Sequence, residues 1–372
     1  MNLGFLIGRF PPGVYGGAEI QAEQWARRLS DRHRIRVITR KNSASDSDRE
    51  TRDGFVVIRH GVSGIPLLRT ALDLRAIERS AAEEPRPDLL LCFQTFISGY
   101  AGVRVQKKLG IPAVVWVRGE DEYRPSRPRT RSISLPVWTA ATGVLVQSEA
   151  NRELLLEAVR RIRPAAEAQV AAKLAVVPNG IDLPAASAPE SRGRILAVGR
   201  LIHDKGMDVV IDAVAGMQGL LTIAGDGPER ASLEARARHH QLDVRFEGTV
   251  DRSRLERLYR EASSVVLASR RGEGLPNVLL EAFAHSRAVV ATPVDGVRDL
   301  VRDGVSGLLV PPGDPLALRD ALARLAHERG LAERLGAEGR RTVEAYSWDR
   351  VRPQLEAALE RWAGPAAGAE HP

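Results

Sequence analysis

The residues best suited to chemistry by type and spacing lie in one segment, from Ser269 to Glu281. Glu273 and Glu281 are separated by seven residues, in the pattern E-x7-E. Glu273 falls in a loop after an apolar strand, and Glu281 falls more than a turn inside a helix whose first turn contains Pro276. Because the neighbours of Glu281 are apolar, its carboxylate needs a hydrogen-bond donor. The vicinal hydroxyls of a ribose would meet this need, and a nearby arginine is the structural alternative.

A second segment, Gly199-Arg200-Leu201-Ile202-His203-Asp204-Lys205-Gly206, carries two cations around one predicted loop between a strand and a helix. A guanidinium and an ammonium group placed there suit a diphosphate. The alternative is that Arg200 and Lys205 are solvated surface cations. The helix that begins beside Gly274 and Leu275 offers a further place for an anion, because the helix dipole favours negative charge at its N-terminus.

Two glycine-containing turns also follow predicted strands. Gly16-Gly17-Ala18-Glu19 opens a helix, where backbone N–H groups could approach an anion. A tight strand-to-helix turn is the alternative, and the G-x-G-x-x-G spacing of a dinucleotide-binding loop is absent. Gly225-Asp226-Gly227-Pro228-Glu229 predicts a turn, with Pro228 early in the next helix.

The elements that must position these motifs alternate along the chain, because short apolar runs are separated by segments of helical period. Strands that are apolar throughout and separated by helices predict parallel sheets covered on both faces. The predicted strands are Leu3–Ile7, Ile35–Thr39, Phe55–Arg59, Leu89–Phe93, Ala113–Val117, Val144–Gln147, Leu174–Val177, Ile195–Val198, Leu220–Ala224, Val244–Phe246, Val265–Ala268, Ala288–Ala291 and Gly307–Val310. Three helices are predicted to close the chain, at about 316–328, 330–345 and 348–362.

The strand pattern stops and restarts around residues 178–192, whose Pro, Ala, Ser and Gly content predicts a linker. A length of 372 residues also favours two domains. We therefore expect an α/β protein with two Rossmann-like domains, 1–180 and 181–347, and a C-terminal helix in 348–372 that returns to the first domain and ends in a frayed tail. Ligands bind beyond the carboxyl ends of parallel strands, so we expect a site in a cleft between two facing domains.

Composition and charge narrow the class of protein. The chain has 27% charged residues, a net charge of +7 and one cysteine, Cys92, which the apolar run around it predicts to be buried and inert. No secretory signal or membrane-spanning run is evident, so we expect a cytoplasmic protein. The arginine- and proline-rich stretch 122–131 is predicted to face an acceptor or an anionic membrane at its inner face, or else to be a solvated loop.

Taken in order along the chain, these motifs resemble glycosyltransferase family 4, a family of retaining GT-B enzymes. The resemblance is carried by E-x7-E, Gly16-Gly17-Ala18-Glu19, the Arg200 to Lys205 loop, the Gly225 turn and Pro178-Asn179-Gly180-Ile181-Asp182. It covers nearly the whole chain and is densest from 176 to 313. The family implies transfer of a sugar from a nucleoside-diphosphate sugar to a hydroxyl of a glycan, a lipid-linked glycan or a small molecule, with no metal and no cofactor.

The resemblance also implies roles for matching residues. Arg200 and Lys205 would neutralise the diphosphate, Glu273 would lie near the donor sugar, and Glu281 would bind the ribose. The other residues implied to bind the donor are Gly16, Gly17, Val250, Gly274, Leu275 and Asn277. Many family members have a histidine where this chain has Arg118, and arginine cannot act as a base. Arg118 is instead expected to hold phosphate or acceptor, and Asp121 or Glu120 to orient a hydroxyl.

Three other functions are alternatives to this one. A GT-B-like sugar-nucleotide epimerase would need no acceptor. A basic nucleic-acid-binding protein is disfavoured because aromatic residues make up only 5% of the chain and no single element has a densely basic face. An NAD-dependent dehydrogenase is disfavoured by the missing glycine fingerprint.

Overall fold

The computed structural model describes residues 1–12, 16–61, 66–119, 128–185, 193–217 and 219–363, with the backbone alone at 66–71, 128 and 129. The chain divides into two compact units. Unit 1 comprises residues 1–178 and 352–372, and unit 2 comprises residues 179–351. Among the described helices, none has the length and apolar character needed to cross a bilayer.

Unit 1 is built on a sheet in which eight strands are described, namely β1 (Asn2–Leu6), β2 (Arg34–Arg40), β3 (Arg49–Arg52), β4 (Phe55–His60), β5 (Leu89–Phe93), β6 (Ala113–Trp116), β7 (Gly143–Val146) and β8 (Leu174–Val176). Their order is β3-β4-β2-β1-β5-β6-β7-β8. All neighbours pair in parallel except β3, which is antiparallel to β4. The central strand β5 is buried at every residue, as expected of a parallel strand covered on both faces.

Helices connect these strands and cover the sheet. They are α1 (Gly17–Leu29), α2 (Pro66–Ala82), α3 (Tyr100–Leu109), α4 (Pro128–Ala140), α5 (Glu149–Ile162) and α6 (Glu167–Ala171). The core includes Trp138 and Cys92, and burial raises the pKa of the Cys92 thiol far above its usual range. That thiol is therefore inert, as the sequence predicts.

Unit 2 has six described strands, all parallel, in the order β11-β10-β9-β12-β13-β14. They are β9 (Arg194–Val198), β10 (Leu220–Ala224), β11 (Val244–Gly248), β12 (Ser264–Leu267), β13 (Ala288–Ala291) and β14 (Leu308–Leu309). Its helices are α7 (Met207–Val214), α8 (Arg230–His239), α9 (Arg252–Glu261), α10 (Asn277–Ala284), α11 (Asp295–Arg298), α12 (Pro315–His327) and α13 (Leu331–Val343). The last described helix, α14 (Trp348–Ala363), begins in unit 2 and belongs to unit 1 from residue 352.

The α/β class and the two strand-helix arrays are confirmed. The predicted linker is wrong at its first residues, because Asn179 and Ile181 are buried in unit 2 and the Ile181 N–H donates to the Tyr346 carbonyl oxygen at 2.9 Å. The rest of that segment, 186–192, and the predicted frayed tail, 364–372, lie outside the described residues. Pro228 precedes α8 by two positions and is not part of it. The strand β3 was not predicted, because its four residues are all polar and lack the apolar run of a central strand.

Several contacts hold the part of α14 in unit 1, and two of them lie at its start and its end. The Arg352 guanidinium donates to both carboxylate oxygens of Asp31, at 2.6 and 3.0 Å. The indole of Trp362 lies so close to Gly143, the first residue of β7, that a side chain on this glycine would collide with the ring. The end of the helix therefore depends on the absence of a side chain at position 143.

We predict that Gly143→Ala lowers the free energy of unfolding of unit 1 by about 1–3 kcal/mol, because the Trp362 ring must move out of a packed position. Gly61→Ala is the matched control, since a methyl group there meets no atom of the described residues within 4 Å. Thermal unfolding of both variants measures the difference, and equal melting temperatures would contradict the packing described here.

Candidate active site

Three of the predicted site residues of unit 2, Arg200, Lys205 and Glu273, lie in loops that leave one edge of its sheet. Strand β9 pairs in parallel with both β10 and β12, so the loops after these strands emerge side by side at their carboxyl ends. The loop after β9 carries Arg200 and Lys205, and the loop after β12 carries Glu273. This edge is where open parallel sheets bind ligands.

The loops after β9 and β12 are in close backbone contact. Gly206 has a φ of 65°, and a side chain on it would collide with the Ala268 carbonyl oxygen, so glycine is required there. From the other loop, the Arg270 guanidinium donates to the His203 carbonyl oxygen at 2.7 Å and to both carboxylate oxygens of Asp208, at 2.7 and 2.8 Å. These contacts fix the short helical turn His203–Lys205 that presents Lys205.

Lys205 forms an ion pair with Oε1 of Glu273. The Ser269 hydroxyl donates to the same carboxylate oxygen at 2.5 Å. The two charged side chains are 22% and 16% exposed, so solvent weakens the pair less than it would weaken a fully exposed one. The Glu273 carbonyl oxygen accepts a hydrogen bond from the Gly296 N–H at 3.0 Å, which fixes the backbone of the loop. The structure therefore brings two predicted site residues into direct contact.

Arg200 is exposed, and within the described residues its guanidinium has neither an ion pair nor a hydrogen bond. Its neighbour Gly199 lies close to the Lys205 side chain. A methyl group on Gly199 would be 3.9 Å from Lys205 Cγ and Cδ. An incoming anion could therefore meet an unpaired guanidinium on the same loop as the ammonium group of Lys205.

Glu281 is the fifth residue of α10 and is partly buried between Leu280 and Ala282. Its partner is a tyrosine, since the Tyr259 hydroxyl donates to Glu281 Oε2 at 2.7 Å. No ion pair joins Glu281 to an arginine within the described part of the chain. Arg252, whose charge acts on Glu281, pairs with Asp182 and Glu256. Burial raises the pKa of Glu281, and the Tyr259 hydrogen bond opposes that rise.

The start of α10 is held from outside the helix. The Asn179 side chain, 2% exposed, donates to the Leu275 carbonyl oxygen at 3.1 Å and to Asn277 Oδ1 at 2.7 Å. A side chain on Gly296 would collide with the Gly274 carbonyl oxygen, so these backbones are also in contact. Val250, in the loop after β11, packs against the core cluster that contains Leu275 and Leu280.

The predicted residues of unit 1 lie in two places. Gly16 precedes α1 and Gly17 is its first residue, and the Glu19 carboxylate lies against Gly16. Arg118 follows β6 and is buried, with its guanidinium carbon 4.7 Å from the centre of the Trp116 ring and 5.7 Å from that of Phe93. Asp121, the other predicted catalytic residue of this loop, lies outside the described residues.

Several residues that build the site were not predicted for these roles. They are Tyr259, Asn179, Ser269, Arg270 and Asp208. Asn179 and Ser269 lie within motifs that the sequence singles out, but Tyr259 lies on an ordinary amphipathic helix and has no local signal. Within the described residues, no group of three or more His, Cys, Asp or Glu side chains is placed to hold a metal ion.

The partly buried carboxylate of Glu281 leads to a stability prediction. Because its pKa in the folded protein is raised above the usual value of 4.5, its protonated form favours folding and this contribution is lost as the pH rises through the raised pKa. We predict that near pH 8 the free energy of unfolding of Glu281→Gln exceeds that of the wild type by about 1 kcal/mol, and that its melting temperature is correspondingly higher. This difference should shrink towards pH 4.5.

The exposed Glu333, on α13 in the same unit, provides the matched control. Glu333→Gln should show no such gain as the pH rises. A Glu281→Gln protein that is less stable than the wild type at every pH would show that the carboxylate is not a cost to folding.

Comparisons with known proteins assign the chain to a family. The family model described as glycosyltransferase family 4 matches residues 15–184, and the model described as glycosyl transferases group 1 matches residues 192–328. Phosphatidyl-myo-inositol mannosyltransferase of Mycobacterium leprae is 35% identical over 197 residues, which are 50% of this chain and 52% of that protein. The match thus spans about half the length of the mycobacterial enzyme.

Two further comparisons extend over nearly the whole chain. An uncharacterised glycosyltransferase of Methanocaldococcus jannaschii is 24% identical over 347 residues, covering 91% of this chain and 94% of that protein. The structure of HepE from Anabaena in complex with UDP and glucose matches with a TM-score of 0.81 at 20% identity, covering 97% of this chain and 99% of HepE. The fold is that of the GT-B glycosyltransferases. The chain, matched by both family models in their order along it, belongs to the family 4, group 1 glycosyltransferases.

Proposed function

We propose that the chain transfers a sugar from a nucleoside-diphosphate sugar to a hydroxyl group of an acceptor, with retention of the anomeric configuration. The observation that carries this proposal is the cluster at the carboxyl edge of the unit 2 sheet. There Lys205 contacts Glu273, Arg200 is exposed on the same loop, and Glu281 lies partly buried with a tyrosine as its partner. These groups suit a diphosphate, a sugar and a ribose.

The cations would act on the leaving group. When the bond from the sugar to the diphosphate breaks, negative charge develops on the β-phosphate. Arg200 and Lys205 would stabilise this charge, together with the N-terminus of α10, because preorganised donors lower the barrier where charge develops. The phosphate would take the place of Glu273 as the partner of Lys205, or share the ammonium group with it. The second arrangement would leave Glu273 close to the sugar.

The proposed acceptor is a hydroxyl compound that binds to unit 1. The name of the mycobacterial relative specifies a phosphatidylinositol acceptor for that enzyme. For this chain we propose a hydroxyl of a glycan, a lipid-linked glycan or a small molecule, held by unit 1 with Arg118 as a candidate contact. A cytoplasmic chain that meets a lipid-linked acceptor at the inner face of the membrane is consistent with this choice.

The first test is thermal unfolding of the wild type with UDP, GDP, ADP or NAD. A ligand that binds only the folded protein stabilises it by about 2.7 kcal/mol when its free concentration is 100 times its dissociation constant. We expect one nucleoside diphosphate to raise the melting temperature, and Arg200→Ala and Glu281→Ala to lose most of this response. Arg238→Ala, which removes an exposed arginine of α8, should keep it.

Stabilisation by NAD alone, or by none of the four compounds, would contradict the proposal. Equal loss of the response in Arg238→Ala would show that the net charge of unit 2 matters and not the position of Arg200. The base of the effective nucleotide would name the donor class.

A second test concerns the proposed independence from metal ions. If Arg200 and Lys205 supply the positive charge, the stabilisation by the nucleoside diphosphate should be the same with and without EDTA. A response that disappears in EDTA and returns with Mg²⁺ or Mn²⁺ would assign the charge to a metal ion instead.

A further inference from the structure

The partner of Glu281 belongs to a small cluster that no sequence motif contains. Tyr259, on α9, is 1% exposed and donates to Glu281 Oε2 at 2.7 Å. The ring of His285 stacks on the ring of Tyr259, with centroids 5.4 Å apart and 18° between their planes. His285 follows α10 directly, and its Nδ1 lies 2.9 Å from the Glu281 carbonyl oxygen. We call Tyr259, Glu281 and His285 the carboxylate brace.

The brace engages one oxygen of the carboxylate. A carboxylate can accept hydrogen bonds at both oxygens, and Tyr259 uses Oε2. In the part of the chain that the structure describes, no side chain donates to Oε1 of Glu281. An external hydroxyl can therefore be received at Oε1 without breaking the contact to Tyr259.

We propose that Tyr259 is a positioning residue for the donor, which turns the Glu281 carboxylate so that Oε1 meets the ribose hydroxyls of the nucleoside diphosphate. This inference rests on the proposed function, because it concerns the ligand of the same site. Tyr259 acts through Glu281 and contacts no reacting atom. Without its hydroxyl the Glu281 side chain would occupy several rotamers, and the ligand would have to select one of them.

The groups around the carboxylate brace set the pKa of Glu281, and therefore the pH range in which its carboxylate is ionised. Burial raises the pKa of Glu281, while Tyr259 and Arg252 lower it and Glu256 raises it. Burial and the charge of Glu281 hold the pKa of Tyr259 well above its usual value of 10, so the hydroxyl stays protonated and donates. Removing the hydroxyl therefore raises the pKa of Glu281 further, and its ionised form is then populated only at higher pH.

The surroundings of the stacked His285 also shift the pKa of its imidazole ring. Its pKa is lowered, chiefly by burial, so the ring is neutral when it packs on Tyr259 at neutral pH. The other groups acting on it are the hydrogen bond to the Glu281 backbone and Glu256, which raise its pKa, and Arg287 and Arg260, which lower it.

The variant that tests the proposal is Tyr259→Phe, which keeps the stacked ring and removes only the hydroxyl. Binding of UDP, GDP and ADP is measured by calorimetry between about pH 5.5 and pH 8. For the nucleotide that binds the wild type, we expect the dissociation constant to rise about tenfold near neutral pH, as for loss of a hydrogen bond to a charged group. The acidic limb of its pH profile should move to higher pH. Tyr346→Phe, which removes another tyrosine hydroxyl from unit 2, is the matched control and should bind as the wild type does.

A double-mutant cycle separates positioning from packing. In a Glu281→Gln background, Tyr259→Phe should cause no further loss of affinity and no change in the pH profile. An equal loss in both backgrounds would mean that Tyr259 acts through packing alone, and would overturn the inference. Wild-type affinity of Tyr259→Phe at every pH would overturn it as well, while leaving the proposed function intact. A wild-type protein that binds none of the three nucleotides would overturn both.

Discussion

The parallel pairing of β9 with β10 and β12 is the constraint on which the candidate site depends. These strands are largely apolar and buried, so their register is set by the core and their loops must leave the sheet at the same edge. Lys205 and Glu273 are 68 positions apart, and they meet because the strands before them are neighbours. The close backbone contact at Gly206 then brings the two loops within reach of one ion pair.

Unit 2 places one carboxylate, that of Glu281, where its charge does not favour folding. The carboxylate of Glu281 lies partly buried on α10 with a neutral tyrosine as its partner, and burial raises its pKa. A cationic side chain in place of Tyr259 would stabilise the fold more than the tyrosine does. It would also occupy the carboxylate that a ribose requires. Lys205 and Glu273 form the opposite case, because each satisfies the other until a charged ligand competes for one of them.

Arg118 shows how far the family resemblance extends in unit 1. Its guanidinium lies over the rings of Trp116 and Phe93, and these contacts orient a buried cation at the carboxyl end of β6. A histidine in this position could exchange a proton near neutral pH, whereas an arginine offers only a fixed charge and donors. Arg118 itself can therefore serve in binding and orientation but not as a general base.

The sequence by itself determined the α/β class, the two arrays and nearly all of the strands, whose predicted bounds agree with the structure to within two residues. Apolar runs and helical periods depend on near neighbours, so they can be found along the chain. The apolar strand before Ser269 and the proline at position 276 likewise placed Glu273 in a loop and Glu281 inside a helix. Only the tertiary structure decided that Tyr259 is the partner of Glu281 and that Asn179 holds the start of α10. These contacts join residues 22 and 96 positions apart, so they depend on which strands and helices become neighbours, and no local pattern contains that information.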